Sequence, residues 1–326
     1  MSTENGKKTN SLKRVFESRL FSQIMPIAIL LILVALFGVL TKGRLTNPTS
    51  LKIIVEQALV VGTVATGAAF IFATGHVNLA MGATTVLTAT LSGLLYNQTG
   101  SLMLMILSAI ALGVIFMVAS ALLSTLLNVR VMYVTIVMMT LMSAIQQSIL
   151  GASSVSFPYE MIQGLIKNNF MYIAFGIYFL ICIYLFHFTK VGRSLRFIGT
   201  NNTCAEQTGI SKANNLLKAF AIAGVGCGIG ALLAIVRGGS IATGTLPSLN
   251  MDCMLALVLG GMSIFGGSKS YVYSGFIGAL TVVVLNQGLL MMGVDVTIIQ
   301  AIRGILFLTL VTISQVRPKG LPAPEG

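Results

Sequence analysis

Ten apolar blocks divide the chain. They fall at about 21–41, 51–74, 77–97, 103–127, 131–151, 170–189, 215–236, 250–266, 271–293 and 296–315. Each is near the roughly 20 residues that a helix needs to cross about 30 Å of hydrocarbon. Most separators are short and rich in Gly and Asn, as turns require. The exception is 190–218, KVGRSLRFIGTNNTCAEQTGISKANNLLK, with six blocks before it and four after. The pattern predicts an all-α integral membrane protein of about ten transmembrane helices, some of them broken, in two related halves. Inside the long polar stretch, Thr203 is placed to cap a short helix, Glu206 to complete a capping box, and Gly209 to end it. A capped helix between two spans is a compact surface for another protein to push against. By charge pattern alone the same stretch also reads as a solvated connecting loop.

Composition supports the membrane reading. Of 326 residues, 56% are hydrophobic and 9% charged, with a mean hydropathy of +0.93; soluble domains carry about 25% charged residues. Ten spans leave only loops and two short tails, with no room for a soluble enzyme domain. The net charge of +12 sits beside the apolar blocks rather than on a polar domain, so it reads as topology information and not as a nucleic-acid surface. Lys7, Lys8, Lys13, Arg14 and Arg19 precede the first block, which is too long for a signal-peptide core and reads as a retained span. The expected organisation is a cytoplasmic tail at 1–20, a transmembrane domain at 21–316 and a cytoplasmic tail at 317–326. With both termini cytoplasmic, fourteen Lys and Arg fall inside and five outside, although Lys42, Arg44 and Lys52 run against the bias.

Two places interrupt the apolar pattern in matching fashion: residues 73–82, ATGHVNLAMG, and residues 260–268, GGMSIFGGS. Glycine lets the backbone leave helical geometry. A broken helix at membrane depth survives only where protein or a watery cavity satisfies the freed amides, and paired breaks mark a transport path between halves. Plain loop turns are the other reading. Small residues in the second and seventh blocks read as helix-packing positions. Among polar residues within blocks, Arg303 is the clearest: it either lines a path or binds a partner helix, or it snorkels to the outer surface. Asn286, Gln287 and Asn78 are further candidates for the path, with interhelical bonding as the alternative use. Asp252 and Asp295 lie at block ends, where exposure is cheap, and Glu56 can reach Lys52 one turn away. The four cysteines have no metal or redox spacing. There is no phosphate-binding G-x-x-x-x-G-K-[ST] run, no H-E-x-x-H and no carboxylate pair set for acid–base work. Energy for uphill movement must come from elsewhere.

Several stretches taken together resemble the permease subunits of bacterial ABC importers, in the branch that handles ribose, xylose, galactose and related sugars. Gln57, Gly62, Ala65 and Gly67 fall in that family's register, followed by Gly75-His76-Val77-Asn78-Leu79-Ala80-Met81-Gly82. The central stretch is similar in Gly192, Arg193, Ile198, Gly199, Asn201, Ala205, Gly209 and Ile210. The family's L-G-G-x-S-x-x-G-G run reappears at 259–267, followed by Leu285-Asn286-Gln287-Gly288-Leu289 and by Arg303-Gly304. The chain departs from the family at Asn78, where an Asp is usual, at His76 for Gly and at Ala80 for Ser. It also departs around Met138, Met139, Thr140, Gln146 and Gln147.

The resemblance implies a multi-pass protein of the bacterial cytoplasmic membrane. Its partners would be a second permease subunit, identical or related, two cytoplasmic ATP-binding subunits and an extracytoplasmic solute-binding protein, with no nucleic acid. No cofactor would be bound by this chain, ATP and Mg²⁺ being held by the ATPase partner. Within the 190–218 segment, Asn201, Asn202, Thr203, Cys204, Ala205, Glu206, Gln207, Thr208 and Gly209 would form the coupling helix. Movement of this helix would drive alternating access for a sugar or similar small polar solute, and Gly209→Pro or Ala205→Arg would then abolish uptake. The competing reading, an ion-coupled secondary transporter, needs a coupling acid near mid-membrane, and Asp252, Asp295 and Glu56 all read as peripheral.

Overall fold

The computed structural model describes residues 19–263, 266–267 and 270–315. The expected tails lie outside the described residues, except that Arg19 and Leu20 already belong to the first helix. Among the described residues the chain forms α1 (Arg19–Leu40), α2 (Pro48–Ala73), α3 (Met81–Thr99), α4 (Leu102–Leu126) and α5 (Val131–Leu150). A strand β1 (Ser154–Ser156) and α6 (Tyr159–Lys167) lead to α7 (Phe170–Phe188), α8 (Lys190–Thr200), α9 (Asn202–Gln207) and α10 (Lys212–Gly238). Then come β2 (Ser240–Ala242), α11 (Leu249–Leu259), α12 (Tyr273–Met291) and α13 (Val296–Gln315).

Every one of the ten apolar blocks holds a helix. Among the described residues six helices, α2, α4, α5, α7, α10 and α12, are long and apolar enough to cross a membrane. The block at 250–266 is not a full span: α11 has 11 residues, so it advances only about 16 Å before Gly260 and Gly261 break it. Likewise α3 begins at Met81 and not at 77, because residues 74–80 leave helical geometry. Two further features depart from a pure helix reading. Ser154–Ser156 pairs antiparallel with Ser240–Ala242, with Val155 opposite Ile241, and the amphipathic α6 occupies what reads as a connection.

The bundle is built around α2 and α10, whose small residues allow backbone-to-backbone approach. A Cβ at Gly113 of α4 would lie 2.5 Å from Gly224 O of α10, and one at Gly228 would lie 2.5 Å from Ala109 O. Tyr178 of α7 enters a notch between α2 and α10: Cβ atoms at Gly67 and Gly226 would fall 2.7 and 2.5 Å from its hydroxyl. That buried hydroxyl donates to Ile222 O at 3.0 Å, as a phenol taken out of water requires. The glycines of these helices are therefore packing residues. Helix ends are capped by local side chains: Asn47 accepts from Thr49 N, Ser101 from Leu104 N and Ser211 from Asn214 N.

Candidate functional site

Two regions concentrate the polar and conformational features, one at each end of α2.

At the C-terminal end of α2 the two glycine breaks meet. Gly267 N–H donates to Ala73 O at 3.1 Å. Gly75, Gly266 and Gly267 have φ of +77°, +72° and +99°, a conformation that favours glycine. A Cβ on Gly266 would lie 2.4 Å from Gly75 N, and one on Gly199 of α8 would lie 2.0 Å from Ala73 O and 2.7 Å from Gly267 N. The matched breaks thus lie against each other, and the end of α8 rests on both, backbone on backbone.

α8 leads directly into α9. The cap of α9 is Asn201, whose Oδ1 accepts from Cys204 N–H at 3.1 Å; it is not Thr203. The capping box does not form either, because Glu206 Oε1 accepts from Asn202 Nδ2 at 3.4 Å. The reason is register: the chain turns two residues earlier, with Asn201 in extended geometry (φ −156°, ψ 107°). Gly209 ends the helix as expected, with φ +80° and its N–H on Glu206 O. Of Asn201–Gly209, Ala205 is buried and Asn202 half-buried, while Thr203, Cys204, Glu206, Gln207 and Thr208 are exposed. Ala205→Arg would therefore disturb the fold of this chain before it disturbed any partner. Arg196 is tied inward: its Nε donates to Gly192 O at 3.3 Å, and its guanidinium lies 5.3 Å from the Phe186 ring centre. Lys190, Arg193 and Lys218 are exposed.

Nearer the other end of α2 lies a buried polar cluster. Arg303 of α13 and Asp252 of α11 are 7% and 5% exposed, and Arg303 Nη1 lies 3.0 Å from Asp252 Oδ1. Arg303 Nε donates to Asn286 Oδ1 of α12 at 2.7 Å, and Ser248 Oγ donates to Asp252 Oδ2 at 3.1 Å. Beside it, Gln57 Oε1 accepts from Gln287 Nε2 at 2.7 Å and from Arg237 Nη2 at 3.3 Å. Two sequence expectations change here. Asp252 is not exposed at a block end, because the short α11 starts inside the bundle and directs it at Arg303. Arg303 does not snorkel, because a buried carboxylate compensates its charge. A cavity of about 180 Å³ adjoins the cluster, with Gln57, Arg237, Ser248, Asp252 and Arg303 among its walls.

The structure thus brings Asn286, Gln287 and Arg303 together. Asn78 has other partners: its Oδ1 accepts from Ala80 N at 2.7 Å and its Nδ2 donates to Met117 Sδ at 3.4 Å. It shapes the first break. A residue absent from the sequence expectations, Asn250, clasps that break from the far half of the chain. Its Oδ1 accepts from Gly82 N–H at 2.5 Å and its Nδ2 donates to Leu79 O. Gln57, Arg237 and Ser248 are also new to the site. Of these, Gln57 was visible in the family register and Arg237 as a cation at a block end.

Comparison with known proteins follows this geometry. The family model described as "Branched-chain amino acid transport system / permease component" matches residues 50–311. The chain is 30% identical to the autoinducer 2 import system permease protein of Salmonella paratyphi B over 305 residues, covering 90% of this chain and 91% of that one. It is 24% identical to the fructose import permease protein of Rhizobium meliloti, covering 89% of this chain and 84% of that one. It is also 24% identical to the ribose import permease protein of Escherichia coli strain K12, covering 88% and 92%. No solved structure matches the chain. Because the family match runs from the first turn of α2 into the last turns of α13, the chain belongs to the family of branched-chain amino acid transport system permease components, in keeping with its resemblance to ABC importer permeases.

Proposed function

We propose that this chain is the membrane gate of an ATP-driven importer, moving a sugar or similar small polar solute across the bacterial cytoplasmic membrane. Both termini and the α8–α9 segment face the cytoplasm. A second permease subunit, two ATPase subunits and an extracytoplasmic solute-binding protein complete the assembly. The relatives named for ribose, fructose and autoinducer 2 import support the solute class.

The observation that carries this reading is the contact of α8 with both glycine breaks. An ATPase gripping the exposed face of α9 would move α8. Gly199 would then press on Ala73 and Gly267, the ends of two interrupted paths. Ala73 ends α2, and Gln57 lies sixteen residues earlier on the same helix, about 24 Å along its axis. A tilt of α2 would therefore displace the outer polar cluster as well, which is the geometry alternating access needs. Ion-coupled transport has a claim through Asp252, the one buried acid among the described residues. Its partnership with Arg303 and Ser248 leaves no lone carboxyl to carry a proton.

The test is reconstitution. The chain purified from its host should bring an ATPase with it, and the complex should accumulate solute in vesicles only with ATP. Uphill accumulation by the lone polypeptide under an ion gradient would overturn the proposal.

A further inference from the structure

The outer cavity has a composition that selects a class of ligand. Its polar wall alternates acceptors and donors: Gln57 Oε1 and the Asp252 carboxylate accept, Arg237 and Arg303 donate, and the Ser248 hydroxyl does both. These side chains come from α2, α10, the α10–α11 connection, α11 and α13, so they converge on one space from five parts of the chain. The rest of the wall is aliphatic, with Val60, Val61 and Leu249 offering a small flat apolar surface.

Charge narrows the choice. Arg303 is neutralised by Asp252 at 3.0 Å. Arg237 gives its Nη2 hydrogen to Gln57 Oε1 at 3.3 Å. An anionic ligand would face the Asp252 carboxylate, and a cationic one would face two guanidiniums. A purely apolar ligand would displace water from five polar side chains and return no hydrogen bond to their remaining donor and acceptor sites, at a cost for each desolvated group. Adjacent hydroxyls, each both donor and acceptor on a C–H-lined ring, match the pattern. The volume of about 180 Å³ lies below the usual range for drug-sized ligands, roughly 300–1,000 Å³. One small ring fits it; a chain of them does not.

From this we propose that the cavity beside Gln57, Ser248 and the Asp252–Arg303 pair is a solute-binding subsite for a single neutral polyhydroxylated ring. It receives the solute on the outer side of the gate. Gln57 acts as its latch: the oxygen now shared by Gln287 and Arg237 is the acceptor that an incoming hydroxyl competes for. The inference rests on the import reading above and adds to it the place and the atoms of recognition.

The test uses the full chain in nanodiscs, with Ser248→Cys as a reporter. The native Cys182, Cys227 and Cys253 are buried, and the exposed Cys204 is replaced by Ser in the reporter so that it takes no label. Ser248→Cys is reacted with a membrane-impermeant methanethiosulfonate alone and with D-ribose, D-fructose, D-galactose, L-leucine or inorganic phosphate. At least one sugar should slow labelling about tenfold at ten times its dissociation constant, and leucine and phosphate should not. The same sugar should raise the unfolding temperature of the unmodified chain, and Gln57→Leu should weaken that effect about tenfold in sugar concentration. Sugars without effect in both assays would overturn the subsite, and so would protection by leucine or phosphate instead. Neither assay depends on the energy source, so either can fail while ATP-driven uptake stands, or succeed while it falls.

Discussion

Asp252 and Arg303 stand on two helices of the C-terminal part of the chain and meet at 3.0 Å, each nearly closed to solvent. Asn286, from a third helix, takes the guanidinium Nε. Removing either member leaves an uncompensated buried charge, a loss of about 3–5 kcal/mol. Arg303→Met should therefore lower the unfolding temperature sharply in detergent. The double variant Asp252→Leu/Arg303→Met should recover most of that loss. A double variant no better than the single one would show that the pair is not what costs stability.

Gly199 has no room for a methyl group, since its Cβ would lie 2.0 Å from Ala73 O. Gly199→Ala should push α8 off the two breaks, cost about 1–3 kcal/mol as overpacking does, and abolish uptake while membrane insertion continues. Gly164→Ala is the control. It lies in α6 with nothing within 4 Å of the added carbon, and it should be neutral or up to about 1 kcal/mol stabilising. Unfolding temperature and uptake, measured on both, separate steric loss from a general intolerance of alanine.

Cys204 is the exposed member of the four free cysteines. On the proposed coupling surface it should react rapidly with a maleimide applied to inside-out vesicles stripped of ATPase. It should be shielded several-fold when the ATPase is bound. Equal labelling with and without the ATPase would remove α9 from the interface.

Asn250 reaches from α11 to the end of the first break where α3 begins, meeting Gly82 N and Leu79 O. Asn250→Ala leaves two partly buried backbone groups without that partner, which should cost about 1–3 kcal/mol. Because the clasp joins distant parts of the chain, hydrogen exchange should rise at Leu79 and Gly82 and not at α6.

The helical blocks were legible because apolar runs of span length have few other uses, and the breaks because glycine runs inside them do. The cap of α9 was misplaced since Asn201, Asn202 and Thr203 are all competent caps, and only backbone geometry chooses among them. Asp252 misled because a charged residue near a block boundary is normally exposed. What buries it is the shortness of α11, a consequence of the break at Gly260 eight residues downstream. Gln57 stood out only as part of the family register and Asn250 not at all, since their partners lie more than 160 residues away in sequence. Asn78 was sound as a feature of the break but has none of the partners of Arg303, because the break lies at the opposite end of α2 from the ion pair.

Where Gly199, Ala73 and Gly266 press together, main chain meets main chain with no side chain between them. Side chains act as cushions; they can swap rotamers and absorb a small displacement. Peptide planes have no such slack. A nudge of a fraction of an ångström at Thr200 must be handed on or resisted, so this junction would behave as a rigid lever and not as a spring.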